Sequence, residues 1–298
     1  MNSAAWLGYF TNNQRPDIQI RDRCGASLEP RFRTELAASI ARFQLGEASG
    51  GRIAAEVETA RDPALDAASR RAIQLYVLEE GRHARELYLI LRALGGSALS
   101  QHWSSDWFRR VRRCLGLRTK LLTMAAAEVV GITYYGVLRD RVSCPVLSRA
   151  LDVIAREEKK HLDFQANWFA RAIARTPAPL RVFQATGVAF RFGLILCAAV
   201  LCVLVDHRRV LAVLGVRPVA YIRACAAELV ARRHFFQGSL AWRGKSSWIS
   251  NQSAVEPTNT CALGPPLNGV SSVPSRTRTL PGAASRRVDD RRAAVRAE

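Results

Sequence analysis

Four glutamates and two histidines occupy positions where a polar side chain is costly, in the middle of otherwise apolar helical stripes. Spaced at alternating steps of three and four, one stripe reads Leu36, Ile40, Phe43, Glu47, Gly50, Ala54, Val57. A second reads Ile73, Tyr76, Glu80, His83, Leu87, Leu91, Leu94, and a third Leu117, Leu121, Met124, Glu128, Gly131, Tyr135, Leu138. The fourth is Leu147, Leu151, Ile154, Glu158, His161, Gln165, Trp168. Such periodicity marks the core face of a helix. Four carboxylates turned into one core would repel one another and lose hydration, a cost of several kcal/mol each. Metal cations between them remove that objection. Carboxylate oxygen and imidazole nitrogen suit iron or manganese, and residues three apart share a helix face, so Glu80/His83 and Glu158/His161 can each approach one ion.

The elements that must position these residues are legible from punctuation. The first helix is predicted to start between Pro30 and Thr34 and run to about Thr59. Asp62-Pro63 reads as an N-cap followed by proline at the first helical position, opening a helix that ends at Gly95-Gly96. A connection with His102, Trp103 and Trp107 follows, with a short basic helix near 106–113. Further helices are expected over 117–139 and from Ser143/Pro145 to just before Thr176-Pro177. No segment alternates with period two, so residues 31–176 are expected to be all-α.

Here the residues resemble a family. One glutamate from each of two helices, with Glu-x-x-His from each of two others, is the pattern of the ferritin-like di-iron and di-manganese four-helix bundles. The matches, in order, are Glu47, Glu80-Gly81-Arg82-His83, Glu128 and Glu158-Lys159-Lys160-His161. Glu47 and Glu80 are 33 residues apart and Glu128 and Glu158 are 30 apart, so a helix pair is repeated. The resemblance covers about half the chain. It implies two iron ions (or a manganese/iron pair), with Glu80 and Glu158 bridging, Glu47 and Glu128 as terminal ligands, and His83 and His161 as nitrogen ligands. It also implies that Glu79 and Glu157 hydrogen-bond ligand histidines; the alternative is that they are solvated. The activity expected is oxidoreductase chemistry on dioxygen or peroxide, with a ferritin- or bacterioferritin-like iron store, or a structural protein without metal, as alternatives. No Cys-x-x-Cys module is present, so electrons would come from an external donor.

Gly50 and Gly131 follow Glu47 and Glu128 by three residues, and either leave space beside the metals or allow close helix packing. Tyr135 is the candidate catalytic phenol and Tyr76 a second, although a tyrosine there is more often core. Met124 and Phe43 read as core; His102, His207 and His234 read as structural or exposed.

Outside the bundle, residues 1–30 read as an irregular aromatic arm packed on the domain, 177–243 as a helical apolar extension, and 244–298 as a disordered tail rich in Ser, Pro, Gly, Thr and Arg. Within the extension, 182–205 is nearly free of charge; a buried or dimer-forming helix is favoured there over contact with a membrane. A last amphipathic helix is expected over about 217–237. The formal charge of +19 rests almost entirely on arginine. No nucleic-acid motif accompanies it, so it reads as a basic, solvated surface. The seven cysteines are scattered and unpaired in pattern, as in a reducing compartment. No signal peptide is recognisable at Met1–Gln14, which leaves cytoplasm as the expected location.

Overall fold

The computed structural model describes residues 1–20, 24–48, 51–113 and 115–231; no strand occurs among them. The helices are α1 (Ser3–Asn12), α2 (Pro30–Glu47), α3 (Gly51–Thr59), α4 (Ala67–Ala93), α5 (Trp103–Arg113), α6 (Leu117–Arg139), α7 (Pro145–Ala174), α8 (Ala178–Asp206), α9 (Arg208–Val213) and α10 (Pro218–Ala231).

α6 lies along α7, α2 along α4, and α4 also meets α7. Their apolar stripes meet in one core that includes Leu36, Ile40, Ile73, Leu87, Leu121, Leu138, Leu151 and Ile154, each nearly free of solvent. α8 and α10 pack on α6 and add Phe192, Val203 and Tyr221 to the same core.

The limits of α6 and α7 agree with the predicted ones, and α8 spans the expected apolar segment. Other boundaries differ. The single helix expected to reach Thr59 is two, α2 and α3. Ala48 closes α2 with bonds from its N–H to Gln44 and Gly46 carbonyls, and the Ser49-Gly50-Gly51 sequence disfavours continuation. α4 begins four residues later than Pro63 suggested, because Asp66 rather than Asp62 caps it, accepting from the Ser69 N–H. Asp62 instead binds Arg118 at 2.7 Å. At the other end Gly95 takes φ 78°, and the Gly96 N–H returns to the Leu91 carbonyl at 2.9 Å, the left-handed termination that glycine permits.

Residues 1–30 are not an irregular arm throughout. Asn2 caps α1, which packs on α4 and buries Trp6 and Phe10. Of the extension, α10 is described as far as Ala231; His234, the end of the expected 217–237 helix and the tail 244–298 lie outside the described residues, as does Gly50.

Candidate metal centre

Glu80 and His83 project from α4, Glu158 and His161 from α7, and all four are buried. One ligand-capable atom from each lies within 4.8 Å of the others, so this buried group could bind a metal ion. The two imidazole centroids are 5.3 Å apart. Each motif reaches across to the other: His83 Nδ1 is 2.9 Å from Glu158 Oε1 and His161 Nδ1 is 2.8 Å from Glu80 Oε1. These contacts are short but poorly directed for hydrogen bonds, leaving Glu80 Oε1, His83 Nδ1 and Glu158 Oε1 buried without hydrogen-bond partners. Buried polar atoms are seldom left so. These three unbonded atoms fit a shared cation, while the fourth candidate, His161 Nδ1, lies 3.1 Å from Glu158 Oε2.

Both Nε2 atoms face outward onto carboxylates. His83 Nε2 is 2.8 Å from Glu157 Oε2, and His161 Nε2 is 2.9 Å from Glu79 Oε2. With the proton on Nε2, each neutral ring presents its Nδ1 lone pair to the centre, the orientation a metal ligand requires. Glu79 and Glu157 are buried and are not solvated glutamates.

Glu128, on α6, is buried with Tyr76 donating to its Oε1. Gln165 Nε2 donates to the Tyr76 hydroxyl at 2.6 Å and lies 3.3 Å from Glu128 Oε1. Glu47, in the last turn of α2, is the least enclosed of the six, half-buried as a residue. Its Oε1 accepts from the Tyr135 hydroxyl at 2.8 Å. Each of these two glutamates is therefore held by a tyrosine from a neighbouring helix. A Cβ at Gly131 would sit at ordinary contact distance, 3.4 Å, from the Tyr135 ring of the same helix, and would meet no other helix among the described residues, so close helix packing does not require this glycine.

The charge balance explains the titration behaviour. Burial, then the charge of Glu80 and Glu158, raises the Glu47 carboxyl well above its ordinary range; burial, then Glu158 and Glu80, does the same to Glu128. Burial alone would lower His83, but the Glu158 charge and the hydrogen bond to Glu157 push it up to about 10. Burial also opposes ionisation of Glu157, yet bonds from His83 and Arg15 hold its carboxyl far below the carboxylate range. Burial raises both Tyr76 and Tyr135, reinforced by Glu128 and Glu47 respectively, so both phenols stay protonated donors. The central cluster carries excess negative charge that it offsets by retaining protons, and cations would serve the same purpose.

An outer ring of residues, not foreseen from sequence, steadies Glu79 and Glu157. Arg15 binds Glu157 through Nε at 2.9 Å and Glu86 through Nη1 at 2.5 Å. Asn13 Nδ2 donates to Glu79 at 2.9 Å and to Glu157 at 3.3 Å. Arg82 Nη2 is 3.1 Å from Glu157 and 3.5 Å from Glu79. Arg82 and Glu86 were detectable in principle, flanking His83 on α4. Asn13 and Arg15 carry no sequence signal, because nothing in α1 indicates where it docks.

A cavity of about 180 Å³ reaches Glu47, Glu80 and Glu128. Its wall includes Phe43, Met124 and Val130, and it extends to Phe108 on α5 and to Ala199 and Val203 on α8. Phe43 and Met124 are thus not only core. Nor is His207 exposed: it is buried, with Nδ1 2.5 Å from Ser39 Oγ, and it borders the same cavity. His102 lies 3.6 Å from Asp206.

No known family description matches the chain, and no curated protein or solved structure proves similar to it.

Proposed function

We propose that the chain is a ferritin-like di-metal bundle whose centre holds two iron ions, or manganese and iron, and that it works as an oxidoreductase on dioxygen or peroxide. The observation that carries this reading is the reciprocal histidine geometry: inward Nδ1, outward Nε2 anchored on a carboxylate, and each Glu-x-x-His motif reaching the histidine of the other. Glu80 and Glu158 would hold the ions together with His83 and His161, with Glu47 and Glu128 beside them. Reduced iron in such a site supplies the two electrons that dioxygen or peroxide takes up.

The protein's own groups have definite tasks. Glu79 and Glu157 fix the histidine tautomer, and a ligand so anchored is both oriented and made more basic. Tyr76 and Tyr135 orient the two terminal carboxylates and hold a proton within reach of the centre. Phe43, Met124 and Val130 keep the adjoining cavity apolar, limiting water beside the reacting atoms. Electrons come from a separate donor, since the chain carries no Cys-x-x-Cys pair.

The test is to load the protein with ferrous ion under anaerobic conditions and admit oxygen. Oxygen uptake with a transient visible absorbance, both reduced at least about tenfold in the Glu80→Ala/His161→Ala variant, is the expected result. Uptake no faster than that of free ferrous ion would overturn the reading.

A further inference from the structure

α8 has two apolar faces, and the fold uses one. Val188, Phe192, Leu196, Ala199 and Val203 are buried against the body. The opposite face carries Phe183, Phe190, Leu194, Leu201 and Val205, which are 82%, 66%, 57%, 62% and 48% exposed. This row runs about 33 Å at 1.5 Å per residue. Only 33% of the most apolar stretch of α8 is buried, against 83% for α6, although both are long and apolar enough to cross a membrane. α8 cannot cross one while its inner face packs on α6, so an apolar medium would meet it lengthwise.

A second observation comes from α5. Trp103 and Trp107, one turn apart, are 53% and 58% exposed, and the same short helix carries Arg109, Arg110, Arg112 and Arg113. Exposed tryptophan beside arginine is the composition of a helix lying at a lipid headgroup layer. α5 adjoins the end of α8, as the 3.6 Å approach of His102 to Asp206 shows. The two helices also flank the cavity that reaches the candidate centre.

Charge selects the occupant. Between residues 175 and 223 there are seven arginines and one acid, Asp206. Arg191, Arg208, Arg209, Arg217 and Arg223 are exposed. A two-fold dimer through this face would set arginine-rich edges against copies of themselves. An anionic lipid surface meets both the apolar row and the arginines.

We propose that the outer face of α8, with Trp103 and Trp107, seats the protein on an anionic bilayer, so that the centre receives an apolar, membrane-dissolved substrate through the cavity between α5 and α8. The docking stands without the oxidoreductase reading; the substrate class rests on it.

The experiment is co-sedimentation of the full chain with vesicles of phosphatidylcholine alone or with phosphatidylglycerol, alongside its mass in solution by light scattering. The proposal expects a monomer that binds phosphatidylglycerol vesicles, with affinity falling at least about tenfold in Phe190→Ser/Leu194→Gln and in Trp103→Ala/Trp107→Ala. Glu80→Ala/His161→Ala is expected to keep full vesicle binding, which separates docking from any failure of the metal reading. For the cavity, fluorescence of cis-parinaric acid should rise on binding in lipid-free protein, and Val203→Trp should abolish the rise while sparing vesicle binding. Absence of vesicle binding, a dimer lost on Phe190→Ser/Leu194→Gln, or probe binding indifferent to Val203→Trp would each overturn it.

Discussion

At the residue scale, the organising feature is a division of labour between carboxylates. Those at the centre are short of positive charge, whereas Glu79 and Glu157 have Asn13, Arg15 and Arg82 around them and stand as acceptors for the histidines. Replacing either by glutamine keeps the shape and removes the charge. Glu79→Gln or Glu157→Gln is therefore expected to weaken metal binding about 10–100-fold, measured by competition with a chelator, with helicity unchanged. Unchanged affinity in both variants would show that the histidines need no anchoring. The inward residues were legible in sequence because each interrupts an apolar stripe. Glu79 and Glu157 gave a weaker signal, standing one position off the stripe and taking their role only from the family resemblance. Asn13 and Arg15 gave none: Asn13 meets Glu157 across 144 positions of chain, and no local pattern encodes a contact of that kind.

At the scale of elements, the long amphipathic helices and the short basic α5 were legible, and the docked α1 was not. α6 and α7 have uninterrupted periodicity and definite ends. α1 has ten residues, too few for stability in isolation, and its helical state comes from docking. That dependence can be measured. Phe10 is fully buried and its ring lies 6.0 Å from that of His161, so Phe10→Ala is expected to cost about 3–5 kcal/mol in urea unfolding. Because α1 also delivers Asn13 and Arg15 to the outer ring, metal affinity should fall in the same variant. A loss of stability below about 1 kcal/mol would mean that the arm is not part of the cooperative unit. The end of α2 shows the opposite limit: the apolar stripe reads on past Glu47, but the helix closes at Ala48. A hydrophobic pattern alone does not report this.

At the scale of the whole molecule, α8 joins the packed body to the proposed docking face, and His207 at its end makes that junction sensitive to acid. Burial, with the nearby charges of Arg42 and His102, lowers His207 to about 3. The folded protein thus keeps this ring neutral, whereas the unfolded chain takes up a proton near pH 6.5. Stability contributed by the neutral ring is complete above that pH and falls as pH drops toward 3, by up to about 1.4 kcal/mol per unit. Urea unfolding from pH 7.5 to 5 should show a steeper loss in the wild-type than in His207→Gln; equal slopes would contradict the assignment. The sequence over 182–205 predicts a buried or dimer-forming helix; α8 buries one face and exposes the other, a division that composition and periodicity do not report, since they cannot tell how many faces a fold will cover. The central claim concerns the cluster in the core, and metal analysis of the purified protein tests it most directly. The account predicts about two iron or manganese ions per chain, lost in Glu80→Ala/His161→Ala while helical circular dichroism is retained. Protein that takes up no stoichiometric metal, or a folded double variant that keeps both ions, would contradict it.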